Sequence, residues 1–341
     1  MAKPASDSGD LVAGPLGVIP ANISPIGAGR GRSRRWLPAW LLVLLRNPKS
    51  AFGLILFSLI VIISLAAPLL TNHKPNDAGE LIHQSPSLRY PMGTTDQGYN
   101  VYSQVIYGGR LTLQVSISAT LMAMTIAVTL GLLAAYSAGW IDEFINTIAN
   151  VFIVIPLIPL VIVIAALVKQ TGPWIMALTI GLVTWALPTR VLRSQALTLR
   201  NRDFIQAAKV SGESTPRIIV SELVPNMLSQ IAANAMIIFW LAVLTEAALE
   251  FLGFGRGDVY SWGTILFWAQ SNSALAQGEW WHFIFPGLAI VLTIMSVVFI
   301  NFGIDELSNP RLQKEKKRRK RRVFSRKPLV APAYSEEGGV S

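Results

Sequence analysis

Six runs of uncharged or nearly uncharged residues alternate with polar stretches along the chain, at about residues 50–70, 111–138, 144–168, 173–192, 227–251 and 282–304. Each is close to the roughly 20 helical residues needed to cross a bilayer, so each predicts a transmembrane helix. The second run carries small and hydroxyl residues (Thr112, Ser116, Ser118, Thr120, Thr125, Thr129, Gly131) of the kind that let membrane helices approach closely. Pro156 and Pro159 predict a kink or local unwinding in the third. The tyrosine-bearing stretch at about residues 72–107 predicts a polar loop, and Trp280-Trp281 an interfacial anchor for the last span.

Between the fourth and fifth runs lies a polar, basic island, residues 201–226, which predicts two short helices joined at a glycine. Asp203 is placed to cap the first helix, and Phe204, Ile205, Ala208 and Val210 to give it an irregular apolar face. Gly212 suits the left-handed position that ends a helix. Ser214 or Thr215 before Pro216 predicts a new N-terminus. Ile218, Ile219 and Leu223 supply the second apolar side, and Pro225 is expected to close that helix. Such a knuckle between spans suits docking into a partner, and it also suits an ordinary structured loop.

Composition agrees with a membrane protein: 341 residues, 52% hydrophobic and 14% charged. The fold class expected is all-α with six transmembrane helices. Of the 29 Lys and Arg residues, seven precede the first span, six lie in residues 190–222 and eleven follow Asn309. Only Lys74, Arg89, Arg110, Lys169 and Arg256 fall on the other side. The positive-inside rule then makes both termini and the knuckle cytoplasmic. Residues 1–45 are expected to be a disordered cytoplasmic tail without signal-peptide character, residues 46–311 the membrane domain, and residues 312–341 a basic cytoplasmic tail. The net charge of +10 fits anionic membrane lipid better than nucleic acid.

The chain contains no cysteine, which removes disulfides, thiolate metal sites and a thiol nucleophile. His73, His83 and His282 lack metal-ligand spacing and read as isolated polar residues. No phosphate-binding G-x-x-x-x-G-K-[ST] stretch is present, nor Gly-x-Ser-x-Gly or His-Glu-x-x-His. Asp142-Glu143 reads as a solvated turn rather than an acid–base pair. Glu246 and Glu250, four apart on one helix face, and Asn234 deeper in the same span, are candidates for a polar pathway lining. They are equally candidates for interfacial groups or for ties to a neighbouring helix. The aromatic stretch from Gly253 to about Gly278 reads as an outer loop that docks a partner, caps a pore or packs back on the bilayer.

The knuckle sequence QAAKVSGESTPRIIVSELVPN resembles the cytoplasmic "EAA" loop of importer-type ABC permeases, with Gln206-Ala207-Ala208, Gly212 and Val224-Pro225 in the motif positions. Gln206 stands where glutamate is usual, and Val224 where leucine is. Arg46-Asn47-Pro48, the stretch Met92 to Val101, Tyr107-Gly108-Gly109-Arg110, the stretch Glu246 to Gly255, Ser261-Trp262-Gly263 and the stretch Phe285 to Ile290 resemble the C-type permease subunit of the dipeptide/oligopeptide/nickel family. The likeness covers about residues 46–311. Thr95 and Asn100 replace the family's usual aspartates, and Glu250 a residue that is often small.

The resemblance implies the type I ABC importer permease fold in a prokaryotic inner or plasma membrane, as half of a pathway that most simply carries di- or oligopeptides. It implies as partners a homologous B-type permease, two ATPase subunits or one two-domain ATPase, and an extracytoplasmic substrate-binding protein. Coupling helices would span about residues 203–224, with Asp203, Phe204, Gln206, Ala207, Ala208, Gly212, Arg217, Glu222 and Pro225 as contact residues. The chain would be no enzyme and bind no cofactor or metal; ATP and Mg would belong to the ATPases. Nickel chelates and oligosaccharides are the alternative cargoes. A stand-alone channel or ion-coupled carrier is the rival reading; it calls for internal repeats, which the sequence does not display.

Overall fold

A computed structural model describes residues 47–79, 81–137, 139–168, 172–255 and 259–308 together with Leu45, except for the side chains of residues 305–308. The expected tails, residues 1–45 and 312–341, lie outside these apart from Leu45. Among the described residues the fold is helical, with two isolated antiparallel bridges, Ala78 with Tyr99 and Thr94 with Asn100, pinning the first loop. Short turns such as Ala67–Leu70 apart, the α-helices are α1 (Pro48–Leu65), α2 (Val101–Ser137), α3 (Trp140–Val154), α4 (Leu157–Val168), α5 (Pro173–Thr184), α6 (Ala186–Arg200), α7 (Asp203–Val210), α8 (Val224–Leu249), α9 (Trp262–Ser271) and α10 (Trp281–Ser308). Four helical stretches are long and apolar enough to cross a membrane, or six spans when the bent pairs α3–α4 and α5–α6 each count as one.

The expected spans are in place, but their edges and interiors differ from expectation. α2 starts ten residues before the apolar run, because Asn100 caps it: its Oδ1 accepts from the Tyr102 backbone N–H at 3.0 Å. The polar first turns of α2 thus extend the span outward, and the expected loop ends at Asn100. The proline kink is a break of 96° between α3 and α4, at Ile155-Pro156, where the chain turns extended. The fourth span is bent by 46° and its second half runs on to Arg200, past the expected end at 192.

Among the described residues three large apolar clusters hold the bundle, and a smaller fourth joins Ala233 of α8 to Ile300 and Ile304 of α10. One joins the ends of α2 and α6 to the knuckle through Leu132, Ala135, Leu192, Ala196, Ile205 and Leu223. A second, midway along α2, packs Ala119 and Val115 against Ile180 and Ala242. The third gathers Val101, Val105, Val243, Trp262, Ile265 and Trp281 at the other end. Burial of Thr112, Ser116, Thr120 and Gly131 bears out close packing of α2, whereas Thr125 and Thr129 point outward. Where α2 meets α5 and α6, an added Cβ on Gly181 would stand 3.0 Å from Ala119 O, and one on Gly131 3.0 Å from Thr189 O.

Asp142 corrects the expectation of a solvated turn. It sits in the first turn of α3 and takes both forks of Arg193 from α6, Nε to Oδ1 at 2.6 Å and Nη2 to Oδ2 at 2.5 Å. Both side chains are about three-quarters buried (25% and 22% exposed), so the pair is dry enough to matter. The guanidinium fork fits a carboxylate in a way an ammonium does not. Arg193→Lys is therefore expected to destabilise the chain by about 1.5–3 kcal/mol. Thermal unfolding in detergent checks this; an unchanged midpoint would mean that the pair contributes nothing to the α3–α6 contact.

Candidate functional site

The knuckle emerges as α7, a turn, and a second helical stretch beginning at Thr215. Asp203 is in the first turn of α7, where its charge suits the helix dipole, but the N-cap is Arg202 and no side chain caps the end. This corrects the capping role expected of Asp203. The C-terminus closes as a Schellman motif: Gly212 N–H donates to Lys209 O at 3.0 Å and Glu213 N–H to Ala208 O at 3.2 Å. Gly212 has φ +80°, the left-handed conformation anticipated for it. Pro216 begins the next helix behind Ser214, also as expected.

Pro225 does not close that second helix. Residues Ile218–Leu223 form π-helical turns that run straight into α8. Pro225 lacks the N–H that an α-helix needs, and its ring crowds the carbonyl four residues back; the wider π turn relieves both. The consequence is mechanical: the knuckle and the fifth span run as one helical stretch from Thr215, broken only near its far end at Gly253.

The knuckle divides into an inner and an outer face. Ile205, Ile218 and Leu223 are buried against α2 and α6. Gln206 Nε2 donates to Arg200 O at 3.1 Å, and Arg200 Nη1 donates to Ala135 O at 2.9 Å while its guanidinium lies 5.4 Å from the Tyr136 ring centre. So the base of the knuckle is tied to the ends of both α6 and α2. Outward lie Asp203, Phe204, Gln206, Ala207, Lys209, Val210, Gly212, Arg217 and Pro225, with Ala208 and Glu222 half-buried behind them. Val210 is 89% exposed and Val220 70%, and a Cβ on Gly212 would meet nothing within 4 Å. An apolar, small-residue surface left open on a rigid base is what a partner's cleft requires.

At the other end of α8 the structure encloses the candidate pathway residues. Glu246 is 0% exposed, Glu250 3% and Asn234 6%. Thr112 Oγ1 of α2 donates to Glu246 Oε1 at 3.2 Å, and the two carboxyls lie beside each other. Glu250 opens a π-helical turn that ends at Gly253, φ +89°. Gly263 of α9 rests directly on this turn, where an added Cβ would stand 2.8 Å from Ala247 O. Asn234 bonds its own helix, Nδ2 to Gln230 O at 2.8 Å. Glu246 and Glu250 are held inside the subunit's own packing of α2, α8 and α9.

The aromatic outer stretch packs back on the bundle. Ser261 caps α9 with a reciprocal bond to Thr264, and Trp262 Nε1 donates to Val105 O of α2 at 2.8 Å. Beside it the first loop is clasped to the α9–α10 turn by Trp281 Nε1 to Thr94 O at 3.1 Å, Asn272 Nδ2 to Asp96 Oδ1 at 3.0 Å, and His83 Nδ1 with Glu279 Oε1 at 2.5 Å. Burial pushes the Glu279 carboxyl up in pKa, against the lowering effect of His83. Two expectations are thereby corrected. Trp281 is a core residue and only Trp280 is exposed. His83 and His282 are not isolated; both neighbour Glu279. Sequence reading missed this cluster because its members come from segments nearly 200 positions apart with no local motif. Among the described residues no three His, Asp or Glu side chains are grouped to hold a metal.

Residues 127–314 match the family described as "Binding-protein-dependent transport system inner membrane component". The chain is 33% identical over 274 residues to the dipeptide transport system permease protein DppC of Alkalihalophilus pseudofirmus, covering 79% of this chain and 88% of that protein. It is 29% identical over 276 residues to a putative peptide transport system permease protein of Brucella abortus, covering 80% and 91%. A solved chain of the MetNI methionine ABC transporter, described as inward facing, aligns over 60% of this chain and 94% of its own with TM-score 0.49 and 18% identity.

Proposed function

The chain belongs to the family of binding-protein-dependent transport system inner membrane components, and from that premise we propose that it is a permease subunit of an ABC importer for short peptides. The names of its relatives supply the cargo class. A homologous permease completes the pathway, separate ATPase subunits bind ATP and Mg and supply the work, and an extracytoplasmic binding protein delivers the cargo at a prokaryotic inner membrane. This chain supplies no hydrolytic chemistry and holds no cofactor.

The observation that carries the reading is the outward face of the knuckle on its braced base. Ala207, Ala208 and Gly212 offer backbone at close range, and Phe204 and Val210 offer apolar contacts; Gln206, Arg217 and Glu222 flank them. Closure of an ATPase dimer would pull on α7. Because Ile205 and Leu223 are buried against α2 and α6, and because the second arm is continuous with α8, the pull reaches three spans without an intervening hinge. ATP then shifts the bundle between two states only through the difference in its binding energy to them.

The absence of cysteine makes the test direct. In Gln206→Cys the engineered thiol is unique in this chain, so a bifunctional maleimide applied to native membranes reports whatever lies over α7. A nucleotide-sensitive adduct with an ATPase subunit is expected. Labelling that yields only monomer and lipid adducts would remove the coupling assignment.

For Glu246 and Glu250, enclosure inside the subunit supports a tie between α2, α8 and α9 over a pathway lining. Glu246→Ala is expected to lower the unfolding midpoint in detergent and leave cargo preference as it was. A changed preference at an unchanged midpoint would restore the lining role.

A further inference from the structure

We propose that a cavity of about 120 Å³ between the first loop, the start of α2, α9 and the start of α10 is a binding site for a primary ammonium group carried on a small organic molecule. The cavity is at the end of the bundle opposite the knuckle and shares no residue with it. Its floor is Gln104 of α2 and His282 of α10, each 2% exposed. Its walls include Asp96, Tyr99, Tyr260 and Trp268, which are half-buried.

Two observations point to a ligand rather than to packing. Among the described residues Gln104 Oε1 and His282 Nδ1 have no hydrogen-bond partner, although both side chains are almost wholly buried. The nearest acid to His282 Nδ1 is Glu279 Oε2 at 3.8 Å, beyond hydrogen-bond length. Buried polar atoms left in this condition call for a bound group, since each costs free energy when unmet. The space suffices: one water needs only about 10–15 Å³ by this measure.

The lining selects the sign and kind of the occupant. Asp96 contributes a carboxylate, fixed by the 3.0 Å bond from Asn272 to its Oδ1. Gln104 contributes a carbonyl oxygen, and its side chain also bonds the Tyr260 hydroxyl. Among the described residues no Lys or Arg lines the cavity, so none of them pairs with an anion there. Three aromatic rings favour a cation that is weakly hydrated on one side, as an amine on carbon is. A compact ammonium with three N–H donors matches Asp96, Gln104 Oε1 and the unpartnered His282 Nδ1 in number. The amino end of a short peptide is a ligand of this class; naming it as the cargo rests on the import reading above.

The test uses the full chain in lipid nanodiscs at pH 6.5, where an α-amino group of pKa about 7.7–8.0 is charged. Binding of glycinamide is followed by saturation-transfer NMR against N-acetylglycinamide and ammonium chloride. Saturable binding of glycinamide is expected, at least tenfold tighter than either comparison. Asp96→Asn keeps the bond to Asn272 and removes the charge; it is expected to weaken binding at least tenfold at an unchanged unfolding midpoint. Gln104→Met, a second variant of similar length, is expected to weaken it several-fold. Equal binding of N-acetylglycinamide, equal binding of ammonium chloride, no binding to the wild-type chain, or full affinity in a folded Asp96→Asn each overturns the assignment. Binding is measured on this chain alone, so failure to recover ATPase partners leaves the site standing, and failure of the site leaves the import reading standing.

Discussion

Gly212→Val is expected to abolish ATP-driven uptake while the chain still inserts and folds. The left-handed backbone at φ +80° costs an L-residue about 1–2 kcal/mol, and a β-branched side chain sits at the upper end of that range. That strain falls on a surface turn, and within the chain nothing stands within 4 Å of the new Cβ. The isolated subunit therefore has room for valine. On the coupling role proposed above, an ATPase cleft closed over the Schellman turn would not, and relaxing the turn would also swing Val210 and Glu213 out of register with it. Uptake and membrane abundance measured together separate the two effects. Wild-type uptake at normal abundance would show that nothing closes over this turn.

Gly53→Leu should have the opposite signature: loss of the folded subunit itself. α1 lies along α10 so closely at this point that an added Cβ would be 2.5 Å from Ser296 O, 2.7 Å from Phe299 Cβ and 2.9 Å from Ile300 N. Two of these are backbone atoms of α10 and cannot rotate aside. Even alanine overfills the contact, at a cost on the order of 1–3 kcal/mol, and leucine forces the helices apart. The only other buried residues of α1 are Ser50 and Ser64, so splaying at Gly53 also strains its remaining ties, Phe57 against Phe239 and Arg110 Nε donating to Ser64 O at 2.9 Å. Size-exclusion profiles and unfolding midpoints of the detergent-solubilised variants are the measurement. A monodisperse Gly53→Leu with the wild-type midpoint would mean that α1 does not pack on α10 in the membrane.

These two glycines also mark what the sequence could and could not tell. Gly212 was legible because its role is local: a helix end, a left-handed turn and a following Ser-Thr-Pro start can be read from neighbours in the chain. Gly53 was not, because its partner lies some 240 residues away and an apolar run looks the same on its packed and lipid-facing sides. Span positions followed from hydropathy, yet their ends did not. Polar residues continue α2 outward from the Asn100 cap, and charged residues continue α6 to Arg200. Pro225 misled because a proline usually ends a helix, whereas here the π turn at Ile218–Leu223 absorbs it. That single difference turns a hinged loop into a lever joined to α8.

The candidate site was legible to the same degree. The motif residues of the knuckle are exposed or half-buried, and Ile205 and Leu223 are buried in the core beside α2 and α6. The acids of α8 were singled out for being ionisable in a span, but only the fold places Thr112 against Glu246 and α9 over both. The clasp of His83 with Glu279 and the cavity beside it left no sequence signal at all, since chemistry assembled from three distant segments has no spacing to read.

The central claim is that this chain works as one subunit of an ATP-driven importer, engaged through residues 203–224. A mild-detergent pull-down of the tagged full chain from its native membrane, with partners identified by mass spectrometry, tests that most directly. The account predicts recovery of a second permease with one or two Walker-type ATPases from the wild-type chain, and loss of the ATPases from Gly212→Val. Recovery of the chain alone, or only with copies of itself, under conditions that keep other membrane complexes intact, would contradict it and favour a stand-alone channel or carrier.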